Sequence, residues 1–310
     1  MPLTYVLPLK WSDDLDRDEL ARYLERLSTW ADEVIVVDGS NDEEFATNAR
    51  AWGSFVSHLR PDPVFGFLNG KVNGVTTGVL AATHEHVVIA DDDVRYDEDA
   101  LARVAALLED ADLVRPQNYF PPPMPWHATL DTARTLLNRA FGADFPGTFG
   151  VRRSFFDAMG GYDGDVLFEN LELIRAVERH GGRVVAPLDL YVARLAPTTQ
   201  RFVSQRVRQA YDDFALPLRM ALWLAYVPAM AAVFLRRRSA ALGLVAVPVA
   251  VAELGRRKAA GRRVFPAAAS LCAPLWLAER GVSAWFAVVA RARGGVRYGD
   301  RRLFRSANPS

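Results

Sequence analysis

The chain has 310 residues, half of them hydrophobic, with 37 Lys and Arg against 37 Asp and Glu. That length suits one large domain with an appendage or two modest domains. The balanced charge selects no partner, and the single cysteine, Cys272, excludes an intrachain disulfide framework and fits a reducing cytoplasm. The distribution of charge says more. Acidic residues crowd the start (Asp13, Asp14, Asp16, Asp18, Glu19), and arginines crowd the end (Arg236, Arg237, Arg238, Arg256, Arg257, Arg262, Arg263, with Lys258). An acidic or neutral globule joined to a part that meets an anionic surface is expected. The chain opens directly on a strand-like run with no basic leader, so the N-terminal domain is expected to stay where it is made.

The first half alternates strand and helix patterns. Residues 3–9 read as a buried strand, and 18–30 carry Leu20, Tyr23, Leu24 and Leu27 at helical spacing. A second strand covers 33–38 and ends at Asp38, before the loop Gly39-Ser40-Asn41-Asp42. Residues 55–59 suit a third strand, 71–82 a helix, and 86–90 a strand that ends in Asp91-Asp92-Asp93. A helix over 97–108 and a short strand over 113–116 follow. This alternation predicts an α/β fold with a mostly parallel sheet covered on both faces. Ligands of such sheets bind at the carboxyl ends of the strands, where Asp38 and Asp91–Asp93 fall.

The middle is less regular. Residues 120–126, rich in proline, read as a rigid turn or extended loop. Helices are expected over 129–141, over 169–180 with Gly181-Gly182 as its stop, and over 200–214. The last third is apolar. Residues 216–235, with Arg219 as the one charge, are long enough to span a bilayer, and Arg236–238 would stop the span. Residues 240–254 are apolar but short, and 265–290 are interrupted by Glu279-Arg280. Arginine clusters between these runs, and Trp223, Trp276 and Trp285 within them, favour a membrane over a set of buried core helices. The number of crossings and their topology stay open. The expected division is a catalytic domain over 1–214, an apolar membrane-associated helical region over 215–292 and a basic tail over 293–310.

Two carboxylates one residue apart at a strand end, Asp91 and Asp93, suit Mg²⁺ or Mn²⁺, which takes one or two carboxylates and completes its shell with water and substrate phosphates. His84 and His86 have no third ligand nearby and read as part of a connector. The arginine clusters flank apolar runs and carry no nucleic-acid motif, so anionic lipid headgroups, not nucleic acid, are the expected partner.

Several segments, taken in order, resemble the inverting glycosyltransferase family 2: Val34-Ile35-Val36-Val37-Asp38-Gly39-Ser40, Asn69-Gly70-Lys71-Val72-Asn73, the strand ending in Asp91–Asp93, Gly147–Arg153, Met159-Gly160-Gly161-Tyr162-Asp163, Phe168-Glu169-Asn170-Leu171-Glu172, and Gln205-Arg206-Val207-Arg208-Gln209. They span about residues 3–214. The apolar C-terminal segments and Gly294–Tyr298 resemble membrane-bound members of the ceramide and hopanoid type. The resemblance implies a GT-A fold and a nucleotide-sugar donor, a UDP-sugar by analogy. It implies that Asp91 and Asp93 hold the metal, that Asp38 contacts the nucleoside, that Lys71 lies on the donor, and that Arg208 with Gln205 meets the leaving diphosphate. It implies a lipid or membrane-proximal hydroxyl acceptor, membrane lipids as partners, and a cell-membrane location with the catalytic domain facing the cytoplasm.

The chain departs from that family's pattern twice. The usual catalytic aspartate is Asn170, and an amide accepts no proton, so Glu169 or Glu172 takes the role of base. Glu169, at the helix start, is favoured. Gln209 stands where tryptophan is usual. Two alternatives follow: a catalytically degenerate nucleotide-sugar-binding membrane protein, and a metal-dependent nucleotidyltransferase. The lack of glycine in residues 3–20 counts against the second.

Overall fold

The computed structural model describes residues 2–12, 15–236, 241–299 and 301–309. Asp13 and Asp14, and the expected stop residues Arg237 and Arg238, lie outside them. In chain order the elements are β1 (Leu3–Leu9), α1 (Arg17–Leu27), β2 (Glu33–Asp38), α2 (Asp42–Trp52), β3 (Ser57–Leu59), α3 (Gly70–Ala81), β4 (His86–Ala90), β5 (Val94–Arg95), α4 (Glu98–Leu107), β6 (Leu113–Val114), β7 (Gln117–Tyr119), α5 (Trp126–Phe141), β8 (Thr148–Arg152), α6 (Arg153–Ala158), α7 (Glu169–Arg179), β9 (Val184–Val185) and β10 (Tyr191–Arg194). Then come α8 (Thr199–Ser204), α9 (Arg206–Asp212), α10 (Pro217–Arg236), α11 (Ala241–Arg257), α12 (Ala267–Leu271), α13 (Ala273–Ala292), β11 (Val296–Tyr298) and β12 (Arg301–Leu303).

These elements form two compact units. One holds Met1–Asn118 and Phe145–Leu195, the other Tyr119–Asp144 and Ala196–Pro309. The first is the expected α/β part. Its seven-stranded sheet runs β3-β2-β1-β4-β8-β6-β9. Strands β3, β2, β1 and β4 are mutually parallel, whereas β8 runs antiparallel to both β4 and β6. The period of two along each strand sorts its side chains to opposite faces. Tyr5 and Leu7 of β1, Val34 and Val36 of β2 and Val88 of β4 meet Leu20, Leu24 and Leu27 of α1 and Leu101 and Val104 of α4. Val6, Ile35, Val37, Val87 and Ile89 meet Val72, Val75 and Val79 of α3, Phe156 of α6 and Leu173 and Val177 of α7. Both faces are therefore covered, and each buried Leu, Ile or Val contributes about 1.5–3 kcal/mol relative to exposure. A second sheet, β5-β10-β7, has no counterpart in the sequence reading, because strands of two to four residues carry too little periodicity.

Helix starts follow cap chemistry. Asp16, Asn41 and Asp97 each accept a hydrogen bond from the backbone N–H three residues on (Glu19, Glu44 and Ala100), and Asn69 caps α3 by accepting from Lys71 N.

The second unit is helical, apart from the β11–β12 hairpin. It differs from the contiguous division at 214 and 292: residues 119–144 and 196–214 pack with the C-terminal helices. The physical reason is close helix contact. Gly255 of α11 lies so near α5 that a Cβ on it would come 1.9 Å from the Leu136 carbonyl oxygen. The expected helix over 200–214 is broken at Gln205 into α8 and α9, and the apolar run over 265–290 forms α12 and α13, which meet at Cys272. Glu279-Arg280 does not interrupt α13; Arg280 is buried and faces Asp213 at 3.7 Å. Among the described residues one helix, α10, is long and apolar enough to cross a bilayer.

Candidate active site at the carboxyl edge of the parallel strands

Strands β2 and β4 flank β1, and their carboxyl ends carry the two acidic positions singled out from the sequence. Asp38 closes β2 and is fully buried. Its Oδ1 accepts from Ser40 N at 2.9 Å, and its Oδ2 from Asn48 Nδ2 at 2.8 Å and lies 3.1 Å from His58 Nε2. Burial pushes the carboxyl pKa up, but the hydrogen bonds from His58, Asn48 and Ser40 outweigh it and hold it at about 2. Phe45 stacks on His58 with ring centroids 4.1 Å apart, and the Arg60 guanidinium lies 3.8 Å from the Phe45 ring centre. Asp38 thus organises the loop after β2, with both oxygens engaged by protein donors.

Asp91 follows β4. Its N–H donates to the Gly147 carbonyl at 2.9 Å, a contact set by the antiparallel pairing of Ala90 with Thr148. Lys71, in the first turn of α3, places Nζ 2.5 Å from Asp91 Oδ1, 2.8 Å from Glu169 Oε1 and 3.3 Å from Asn170 Oδ1. Three ammonium protons meet three oxygens from the end of β4 and the start of α7. Burial pulls the lysine pKa down, but the carboxylates of Asp91 and Glu169 outweigh it and raise it above its ordinary value. The start of α3 is tied to the loop before α7: Asn69 N donates to Gly164 O at 2.9 Å, Asn69 Nδ2 to Val166 O at 3.2 Å and Leu68 N to Asp165 Oδ1 at 2.8 Å.

Asp93 accepts from Arg194 Nε, at the end of β10, at 2.7 Å through Oδ2. Its Oδ1 is buried with no hydrogen-bond partner among the described residues. On Asp91, the ion pair with Lys71 leaves Oδ2, which lies against the bare face of Gly147; a Cβ there would approach it to 2.6 Å. Two carboxylates with one oxygen each outside their ion pairs fit a hard divalent cation that completes its shell with water and phosphate oxygens. Among the described residues no group of three or more His, Cys, Asp or Glu could close around an ion by itself.

The structure therefore brings Lys71, Asp91 and Glu169 into one cluster, with Asp93 two residues from Asp91. Glu172 is fully buried, and its Oε1 accepts from Arg179 Nη2 at 2.6 Å, two turns further along α7. Gln205 and Arg208 belong to the second unit, where Gln205 joins α8 to α9 and the Arg208 guanidinium lies 4.7 Å from the Tyr298 ring centre. One site residue, Arg194, escaped the sequence reading; it reaches Asp93 through the pairing of β10 with β5, which no local pattern announces. Asn170, noted there only as a departure, accepts from Lys71, and Gly147, there only the start of a motif, lies against Asp91.

Residues 16–166 match the family described as Glycosyl transferase family 2. Among solved structures, the mannosyltransferase PcManGT from Pyrobaculum calidifontis, in complex with GDP-Man and Mn2+, is similar with a TM-score of 0.53 at 19% identity, covering 92% of this chain and 87% of that one. Glucosyl-3-phosphoglycerate synthase from Mycobacterium tuberculosis, in complex with Mn2+, uridine-diphosphate and glucosyl-3-phosphoglycerate, is similar with a TM-score of 0.44 at 18% identity, covering 67% of this chain and 77% of that one. At 19% identity the first likeness is one of fold, and it supports the GT-A architecture. No curated protein matches the chain in sequence.

Proposed function

We propose that this chain, whose residues 16–166 match glycosyltransferase family 2, is a glycosyltransferase that moves a hexose from a nucleoside-diphosphate sugar to a hydroxyl of a lipid or other membrane-proximal acceptor. The observation that carries the reading is the cluster of Lys71, Asp91 and Glu169, with the buried, unpartnered Asp93 Oδ1 beside it, at the carboxyl edge of the parallel strands. Asp91 and Asp93 are the residues that would hold Mg²⁺ or Mn²⁺. Such an ion supplies positive charge opposite the charge that gathers on the leaving diphosphate.

Glu169 takes the proton of the acceptor hydroxyl as that oxygen attacks the anomeric carbon. The bonding pair of the breaking C–O bond passes to the diphosphate, and the configuration inverts. Lys71 holds Glu169 and Asp91 in register and adds positive charge beside the donor. The family resemblance assigns Gln205 and Arg208 to the leaving diphosphate and Asp38 to contact with the nucleoside; because both Asp38 oxygens are engaged by Ser40, Asn48 and His58, we assign it instead to shaping the loop after β2. The exposed apolar helix α10 supports action at a membrane; the cytoplasmic side for the catalytic domain is carried over from the family resemblance alone.

The test is nucleotide release by the full chain purified in detergent, with UDP- and GDP-sugars, with Mn²⁺ or Mg²⁺ and with EDTA. Metal-dependent release of one nucleotide is expected. Glu169→Gln lowers its rate by about 10²–10⁴ while the donor still binds. Unchanged turnover in the variant removes Glu169 as base. Donor binding with no turnover, whatever the acceptor, favours a nucleotide-sugar-binding protein, a reading that Asn170 keeps in view. With pyrophosphate added, its consumption to give a nucleoside triphosphate and a sugar 1-phosphate would make it a nucleotidyltransferase.

A further inference from the structure

The helical second unit carries an apolar stripe on its surface and a few buried charges in its interior. Along α12 and α13 the residues Leu271, Leu275, Val282, Phe286 and Val289 recur at steps of three, four and seven, and they are exposed, Leu271 at 68% and Phe286 at 58%. The opposite face of α13 buries one charge, Arg280, among Trp276, Ala284 and Ala287. Arg280 is 2% exposed and faces Asp213 at 3.7 Å, while the buried Arg206 approaches Asp131 at 3.4 Å and Glu279 at 3.7 Å. A water-soluble bundle places these classes the other way round. Charge inside and hydrocarbon outside is the arrangement of helices in contact with lipid.

The same unit carries a basic turn between α11 and α12. Residues 253–263 contain five cationic side chains and one carboxylate, Glu253. That carboxylate is shared by Arg256 at 2.6 Å, Arg257 at 2.8 Å and Arg262 at 3.6 Å, so positive charge remains in excess. Arg257, Lys258, Arg262 and Arg263 are exposed. The turn is also built. Ala259 and Ala260 sit at φ of +50° and +57°, a region that alanine adopts only under constraint. The constraint is visible: the buried Arg139 of α5 donates to Lys258 O at 3.1 Å, and Lys258 Nζ donates to Ala140 O at 2.6 Å. Leu254, 60% exposed, lies in the same stretch of chain as these cations, and Leu271 lies just beyond them.

We infer that the second unit seats on an anionic phospholipid surface, with the turn of residues 256–263 at the level of the phosphates and the apolar faces of α12 and α13 among the acyl chains. The inference draws on the membrane-proximal part of the proposed function and on none of its chemistry. An amphipathic surface with cations at its edge gains affinity from both terms, and the electrostatic one depends on lipid charge and on salt.

The experiment is co-sedimentation of the full chain with vesicles of phosphatidylcholine alone and of phosphatidylcholine with phosphatidylglycerol, at low and high salt. Binding is expected to be stronger on the anionic vesicles by about tenfold or more, and to weaken with salt. Charge reversal of Arg257, Arg262 and Arg263 to Glu should abolish that preference. Leu275→Asp with Phe286→Asp should lower binding to both vesicle types. Nucleotide release in detergent by the charge-reversed chain is expected to match wild type, which separates this inference from the catalytic one. Equal binding of wild type to neutral and anionic vesicles, or unchanged anionic preference after charge reversal, overturns it. Displacement by inorganic phosphate beyond that by chloride of equal ionic strength would make the turn a free-phosphate site and would overturn it too.

Discussion

Lys71 shows how little room the site leaves for substitution. Its ammonium serves one carboxylate from β4 and one from α7. Charge-assisted hydrogen bonds of that kind are short and directional, so the position of each carboxylate depends on the other. Asp38 is a different case. Its pKa of about 2 lies below the ordinary 3.8. A depressed carboxyl stabilises the fold fully above its unfolded value, and that stabilisation is lost as pH falls through the folded one. Asp38→Asn is therefore expected to lower the unfolding free energy by about 2 kcal/mol near neutral pH. The difference from wild type should shrink towards pH 2, read by denaturant titration across that range. Gly147 acts through space alone. A methyl group 2.6 Å from Asp91 Oδ2 must displace that carboxylate. Gly147→Ala is expected to raise the Mn²⁺ concentration needed for half-maximal activation by about 10–100-fold, with little change in melting temperature. Asp91, Asp93, Lys71 and Glu169 were all legible as residues. Arg194 was not, since 101 positions separate it from its partner Asp93.

At the scale of elements, the parallel half of the first unit was readable because its strands are buried on both faces and its helices carry apolar stripes and caps. Strands β8 and β10 were not read. The first is antiparallel and inserted between β4 and β6, and the second is four residues long. Register between distant strands is set by packing and carries no local signal. The break at Gln205 escaped for a related reason, since a single αR residue between two helices leaves the pattern of side chains unchanged. In the second unit, α11 meets α5 at Gly255, where a Cβ would come 1.9 Å from a backbone oxygen. Backbone cannot give way as a side-chain tip can. Gly255→Ala is expected to separate the helices and cost about 1–3 kcal/mol, visible as a lower melting temperature by circular dichroism.

For the whole molecule, the alternation of strands and helices, the acidic strand end and the apolar C-terminal third were determined by the sequence alone. Each rests on local periodicity, composition or the spacing of a few charges, which a single chain segment carries within itself. The same segments, read in order, carry the resemblance to glycosyltransferase family 2 on which the proposed function rests. Only the tertiary structure decided that residues 119–144 leave the catalytic part and join the C-terminal helices. It alone decided that Glu169, and not Glu172, shares Lys71 with Asp91. Both glutamates lie in the first turn of α7 and look alike in sequence. What separates them is which neighbours the fold brings up: Lys71 from α3 to one, Arg179 from α7 itself to the other. The outward apolar stripe of α13 and its inward Arg280 are likewise tertiary facts. A sequence shows that α13 is amphipathic, but which of its faces is turned inward depends on the helices packed against it.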